Sequence, residues 1–148
     1  VSALILNVAQ AARIEAEARR AFPREACGLL LGTRDEAGRA HVARVVPAPN
    51  TASGPDRFEI DPALLLALHR EARGAGEAIV GHYHSHPNGS PAPSARDLAE
   101  AAWPGLVWLI AALGAEGEPR MAAFLHPEGV VAPARFEPLA LVIKESLA

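Results

Sequence analysis

The chain has 148 residues, half of them apolar and about a fifth charged, with a formal net charge of -3. That length suits one domain with a sizeable core, and the charge gives no basic footprint for nucleic acid. No apolar run reaches the ~18 residues of a membrane span, and the apolar stretch from Val1 to Val8 has neither the basic n-region nor the small-residue cleavage site of a signal peptide. One cysteine cannot form an internal disulfide, so the expectation is a reducing cytoplasm.

Ala3 to Leu6 reads as a short strand, and Asn7 as the cap of a helix over Val8 to Phe22, whose apolar positions recur at helical spacing. Pro23 ends that helix, and its charges, among them Arg13, Glu15 and Arg20, form a solvated face. Glu25 to Leu31 reads as a buried strand. Asp35-Glu36-Ala37-Gly38 turns the chain, and Arg39 to Val46 returns as a second strand with His41 exposed on it. Pro47 to Pro55 is loop chemistry, and Phe58 to Ile60 a short strand. Asp61 followed by Pro62 starts an amphipathic helix over Ala63 to Arg73, with His69 on its surface, and Gly74 and Gly76 end it.

The next stretch, Gly81 to Asp97, reads GHYHSHPNGSPAPSARD. Its apolar approach, Ala78-Ile79-Val80, predicts a strand, and residues two apart on a strand share a face. His84 and His86 then project together, and both imidazoles can reach one metal ion at ~2.0–2.1 Å. Pro87 stops strand pairing because it has no N–H to give. Ser94 to Asp97 starts a helix whose first turn folds back over the strand end and brings Asp97 in as an oxygen ligand. Two histidines and one carboxylate make three protein ligands, the pattern of a catalytic zinc, which keeps its last position for water. Ser94 and Asp97 equally fit a helix cap that needs no metal, and a capped helix start is a rigid place from which to present a ligand. His82, on the same face, is either a third nitrogen ligand or a packing neighbour of the site, and the second is preferred.

The helix begun at Ser94 continues to Ala102 and ends at Pro104-Gly105. Leu106 to Ile110 is a core strand, Gly114 to Pro119 a hairpin-like turn, and Arg120 to His126 and Val130 to Phe136 are further strands. Leu139 to Ile143 fits a strand or a short helix. With no repeat, linker or second domain in view, residues 1–148 read as a single α/β domain, a central mixed sheet flanked by helices.

The spacing H-x-H, seven residues, S, two residues, D, met by His84, His86, Ser94 and Asp97, resembles the JAMM motif of the MPN+ zinc metalloproteases. Pro23 to Gly32 resembles the family's early strand segment, with Glu25 at the catalytic glutamate. Asn50 and Phe58 fall where the family's intervening segment tends to place an Asn and an aromatic. The resemblance implies an MPN fold, a sandwich like that of the cytidine deaminases. It implies one zinc ion held by His84, His86 and Asp97, with Glu25 moving protons and Ser94 stabilising an oxyanion. The activity it implies is hydrolysis of the peptide or isopeptide bond after the Gly-Gly tail of a ubiquitin-like protein. A stand-alone prokaryotic member of this size resembles the subgroup that trims sulfur-carrier proteins. The tail would add as a strand beside an open sheet edge. Homodimer formation stays open.

Two other readings stand beside this one. Some MPN domains have lost their metal and act as scaffolds, but those lack the His or Asp ligands that are present here. A thiol hydrolase could pair Cys27 with His84, which leaves Ser94 and Asp97 unexplained; the plain reading of Cys27 is a small buried apolar residue. A deaminase zinc site needs a P-C-x-x-C pair that a chain with one cysteine does not have.

Overall fold

Asn7 joins the first strand, β1 (Ala3–Asn7), to the first helix, α1 (Val8–Ala21). Its side chain accepts the Gln10 amide at 2.7 Å, and the Gln10 side chain accepts the Asn7 amide at 2.8 Å, so two otherwise orphaned donors satisfy each other's residues. The structure is a computed structural model, which describes residues 1–99, 105–114, 119–126 and 135–145. The remaining elements are β2 (Cys27–Arg34), β3 (Arg39–Ala48), α2 (Pro62–Gly74), β4 (Ala78–His86), α3 (Ala95–Ala99), β5 (Val107–Leu113), β6 (Pro119–Leu125) and β7 (Glu137–Lys144).

The strands form one mixed sheet in the order β1-β3-β2-β4-β5-β6-β7. β4 is antiparallel to β2 and parallel to β5, while β1 is parallel to both β3 and β7. The last pairing closes the sheet on itself, so among the described strands each has a neighbour on both sides. The expected mixed sheet with flanking helices is present, but the open sheet edge expected to receive a peptide is not found among these strands. α1 buries Ala11, Ile14 and Ala18, at helical spacing, and the first two join a core that includes Leu4, Leu30, Tyr83 and Leu109. α2 packs Leu68 and Ala72 with Leu29, Leu31 and Ile79. Leu29 and Leu31 facing one core and Leu30 the other is the period-two alternation of a strand buried on both faces.

Several sequence expectations change. The run 58–60 is not a strand, because the backbone around Phe58 is hydrogen-bonded by the Asn50 side chain (2.9 and 3.1 Å) rather than by a ladder. β3 continues through Pro47 to Ala48, paired with Gly28 and Cys27. Residues 139–143 are strand, in register with β1. Most of the strand expected over 130–136 lies outside the described residues, as do 100–104 of the third helix and 115–118 of the β5–β6 turn; Arg135 and Phe136 are irregular.

The site is positioned by β4, whose residues from Ile79 to His86 are all buried. The pairing register with β2 slips at Val80, since Leu31 faces Ile79 but Leu30 faces Gly81. One extra residue reverses the alternation, so Ile79 and the histidines share the α2 side of the sheet.

Candidate metal centre

His82, His84 and His86 form a ladder of inward side chains on β4, and all three are buried. Pro87 follows, and the chain loops back to α3, where Ser94 and Asp97 clasp each other. The Ser94 amide donates to Asp97 Oδ2 at 2.9 Å, and the Asp97 amide donates to Ser94 Oγ at 3.0 Å. This is the capping arrangement expected from the sequence, and it fixes the Asp97 carboxylate beside the strand end. Asp97 Oδ2 lies 3.3 Å from His84 Nε2 and 3.0 Å from His86 Nε2, and the two Nε2 atoms are 3.1 Å apart.

These three atoms form a triangle of the size a metal ion needs. Ligands bound tetrahedrally at ~2.0–2.1 Å stand roughly 3.3 Å from one another. The proton inventory points the same way. His86 Nδ1 is 2.8 Å from the Ser90 carbonyl, which can only accept, so Nδ1 carries the proton. In the neutral ring Nε2 is then a lone pair, aimed at a carboxylate oxygen and a second imidazole. A cation at the centre of the triangle relieves that crowding of acceptors. Burial drives the His84 pKa down, which keeps its ring neutral and able to ligate. Burial opposes the charge on Asp97, but its close contacts with His84 and His86 and the amide of Ser94 outweigh it and hold the carboxyl well below the usual range.

Glu25 stands just before β2 and is buried. It offers a carboxylate oxygen within 4.8 Å of ligand atoms of both His84 and His86, so Glu25, His84 and His86 also form a group able to hold a metal ion. Asp97 Oδ2 lies within hydrogen-bond distance of both rings, which leaves Glu25 as the neighbour of the triangle rather than its third corner. Glu25 Oε1 is buried with no hydrogen-bond partner. Burial pushes its pKa up to about 7. The group can therefore accept and return a proton near neutrality.

Cavities flank the cluster. One of about 430 Å³ is lined by Phe58, Ile60, Arg96, Asp97 and Trp108. Another of about 630 Å³ is lined by Phe22, Pro23, Glu25, His86 and Ser94.

His82 does not join the triangle. Its ring packs against Phe58, His84 and Trp108 at centroid distances of 5.3, 5.7 and 4.4 Å, the packing role preferred from sequence. Cys27 is buried, and burial pushes its thiol up to about 12, so it holds no thiolate at neutral pH. His69 is exposed as expected, whereas His41, expected to be exposed, is half-buried and pairs with Asp35 at 2.8 Å.

A family model described as prokaryotic homologs of the JAB domain matches residues 8–125. The chain belongs to the prokaryotic JAB-domain family. This JAB domain is 40% identical over 89 residues to a desampylase of Haloferax volcanii, a match that covers 60% of this chain and 62% of that protein. It is 37% identical over 113 residues to a probable TtuB-protein conjugate cleaving protease of Thermus thermophilus, covering 74% and 67%. A CysO-cysteine peptidase of Mycobacterium tuberculosis is 35% identical over 89 residues, covering 60% and 59%. The matches thus span about three fifths to two thirds of the length of these curated relatives. A Desulfitobacterium hafniense protein of known solution structure superposes with a TM-score of 0.82 at 36% identity, covering 97% of this chain and 94% of that one.

Sequence reasoning brought together Glu25, His84, His86, Ser94 and Asp97, and the structure gathers all five at one end of β4. It named Phe58 only through the resemblance, without its stacking role, and missed two other supports. Phe58 stacks on the His84 ring at 4.4 Å and 15°. The Ser90 carbonyl fixes the His86 tautomer. Ser85 ties β4 to the segment that carries Glu25. A serine inside an otherwise buried strand was the one signal available for the last of these.

Proposed function

We propose that this chain is a zinc-dependent peptidase and isopeptidase that hydrolyses the bond after the Gly-Gly tail of a ubiquitin-like or sulfur-carrier protein, with residues 1–148 acting as one catalytic unit in the cytoplasm. The observation that carries the reading is the convergence of His84 Nε2, His86 Nε2 and Asp97 Oδ2 within 3.0–3.3 Å of one another, with the Glu25 carboxylate beside them. Relatives named as a desampylase, a conjugate cleaving protease and a CysO-cysteine peptidase support the substrate class.

His84, His86 and Asp97 would hold the ion, because two neutral imidazoles and a carboxylate are a donor set that zinc accepts. A zinc ion held by these residues would supply Lewis acidity and would lower the pKa of a bound water from 15.7 to about 7. Glu25 takes the proton of the attacking water and delivers it to the leaving amine. Ser94 uses its oxygen to accept the Asp97 amide, which leaves its hydroxyl proton to donate to the scissile carbonyl oxygen as charge builds there. The cavities on either side of the cluster hold the tail and the leaving group in extended form. Glycines suit such a passage because they let the backbone approach closely.

The test is incubation with a diglycine-tailed ubiquitin-fold carrier bearing a C-terminal extension, followed by mass spectrometry and metal analysis. Release of the extension after the second glycine, abolished by a chelator and restored by zinc, is expected. A chain that purifies without metal and leaves every carrier conjugate intact is a scaffold instead.

A further inference from the structure

We propose that Asn50 is a positioning residue that locks the segment carrying Glu25 to the segment carrying Phe58, and through Phe58 sets the plane of the His84 ring. The inference rests on the proposed roles of Glu25 and His84. Its ground is a full set of hydrogen bonds on one side chain. Asn50 Nδ2 donates to the Glu25 carbonyl at 2.9 Å and to the Arg57 carbonyl at 2.9 Å. Asn50 Oδ1 accepts the Ala52 amide at 3.0 Å and the Glu59 amide at 3.1 Å. Both amide hydrogens and both lone pairs are used, and because every partner of Nδ2 is a carbonyl and every partner of Oδ1 an N–H, the orientation of the amide is unambiguous.

The partners are what make this more than a loop staple. Arg57 and Glu59 bracket Phe58, whose ring lies stacked on His84 at 4.4 Å and 15°. His84 Nδ1 is buried without a hydrogen-bond partner, so no polar contact there orients the ring. Histidine ligands are ordinarily oriented by a hydrogen bond at the second nitrogen, as His86 is by the Ser90 carbonyl. For His84 a flat aromatic face does that work, and Asn50 holds the face in place. At its other end the same amide grips the Glu25 carbonyl, one residue's backbone away from the proton-carrying carboxylate. Asn50 therefore fixes the distance between the proton carrier and one ligand, and does so by joining two segments that lie outside the described strands. A misplacement of ~1 Å at such a site costs on the order of 10²-fold in rate.

Asn50→Asp separates this role from that of an ordinary turn residue. The carboxylate keeps the acceptor bonds to Ala52 and Glu59 but has no hydrogen for Glu25 or Arg57. Arg24, whose guanidinium donates to the Ala52 carbonyl, still ties the loop down, so the variant keeps its fold. In kinetics on a diglycine-tailed carrier, Asn50→Asp and Asn50→Ala are expected to lower kcat by roughly 10–100-fold with KM within about twofold. In a Glu25→Gln background Asn50→Asp is expected to add less than about threefold, since both changes strike the same proton transfer. In the metal-free protein the imidazole ring proton signals of His84, shielded by Phe58 in the parent, are expected to move toward their positions in Phe58→Ala. Asn50→Asp with parental kcat, or with a loss that multiplies fully onto Glu25→Gln, overturns the proposal, and so do unshifted His84 signals in both Asn50 variants. A parent chain that cleaves no such carrier overturns the proposed function instead, and the ring signals then decide the role of Asn50 alone.

Discussion

Ser85 and Ala26 are joined by two hydrogen bonds: the Ser85 hydroxyl accepts the Ala26 amide at 2.7 Å, and the Ser85 amide donates to the Ala26 carbonyl at 2.9 Å. Ser85 lies between the two ligand histidines and, by the alternation of a strand, points away from them. It extends the β2–β4 pairing one residue past Cys27 and delivers Glu25 to the cluster. Ser85→Ala leaves the buried Ala26 amide without its acceptor, at a cost of about 1–3 kcal/mol. The expected result is a Tm lowered by several degrees and a reduced kcat with metal still bound, read by calorimetry, kinetics and metal analysis of the same preparation. An unchanged Tm and kcat would remove Ser85 from the site's support.

Glu25→Gln keeps size and hydrogen-bonding capacity but cannot carry the proton. Turnover is expected to fall ~10²–10⁴-fold, the usual contribution of a positioned acid or base. Metal content should stay that of the parent, since Glu25 stands outside the short-distance triangle. Loss of metal together with activity would instead make Glu25 a ligand, in the group it forms with His84 and His86.

Asp97 does two jobs, as a corner of the triangle and as the partner of Ser94 in the start of α3. Asp97→Asn preserves the shape but loses the charge. The variant is expected to purify with little metal and no measurable hydrolysis, while the circular dichroism of the fold is kept. Full metal occupancy in Asp97→Asn would show that two imidazoles and another oxygen suffice.

How far the sequence disclosed this site follows from which interactions are local. The histidine pair was legible because strand alternation puts residues two apart on one face, and the Ser94–Asp97 clasp because a helix cap spans three residues. The parity of β4 was not legible: the register slip at Val80 depends on which residue of β2 stands opposite, and pairing partners are absent from a linear pattern. Closure of the sheet had the same cause, since it needs residues 137–144 to find β1 across nearly the whole chain. The segment 58–60 misled because its alternating residues suit a strand, whereas its backbone is held by the side chain of Asn50, eight residues before Phe58, and by Thr51.

Cys27→Ser should be indistinguishable from the parent in kcat and metal content. The thiol sits at 2% exposure, points its sulfur at the Ala48 carbonyl at 3.6 Å, and is held protonated by burial. A serine hydroxyl can make the same donation. Abolished hydrolysis with metal retained would restore the thiol mechanism.

Three glycines, Gly28, Gly32 and Gly81, mark where the sheet permits no side chain, and the first and last lie on strands β2 and β4 beside the site. A Cβ on Gly28 would lie 2.4 Å from the Tyr83 ring, and one on Gly81 would lie 2.5 Å from the Val107 carbonyl oxygen. Neither position needs a left-handed backbone, so close approach alone requires glycine. The Tyr83 ring is fully buried, and the Val107 carbonyl belongs to the β4–β5 pairing. Overpacking of this kind costs about 1–3 kcal/mol. Gly81→Ala presses on backbone and should be the more destabilising of the two; Gly28→Ala presses on a side chain that can shift by tenths of an ångström. Because Gly81 begins the run that ends in His86, Gly81→Ala is also expected to lower metal affinity, whereas Gly28→Ala lowers Tm with the metal content kept. Urea unfolding of both variants, with metal analysis of each, checks the order, and equal stability of Gly81→Ala and parent would mean that β4 and β5 stand farther apart than the pairing implies.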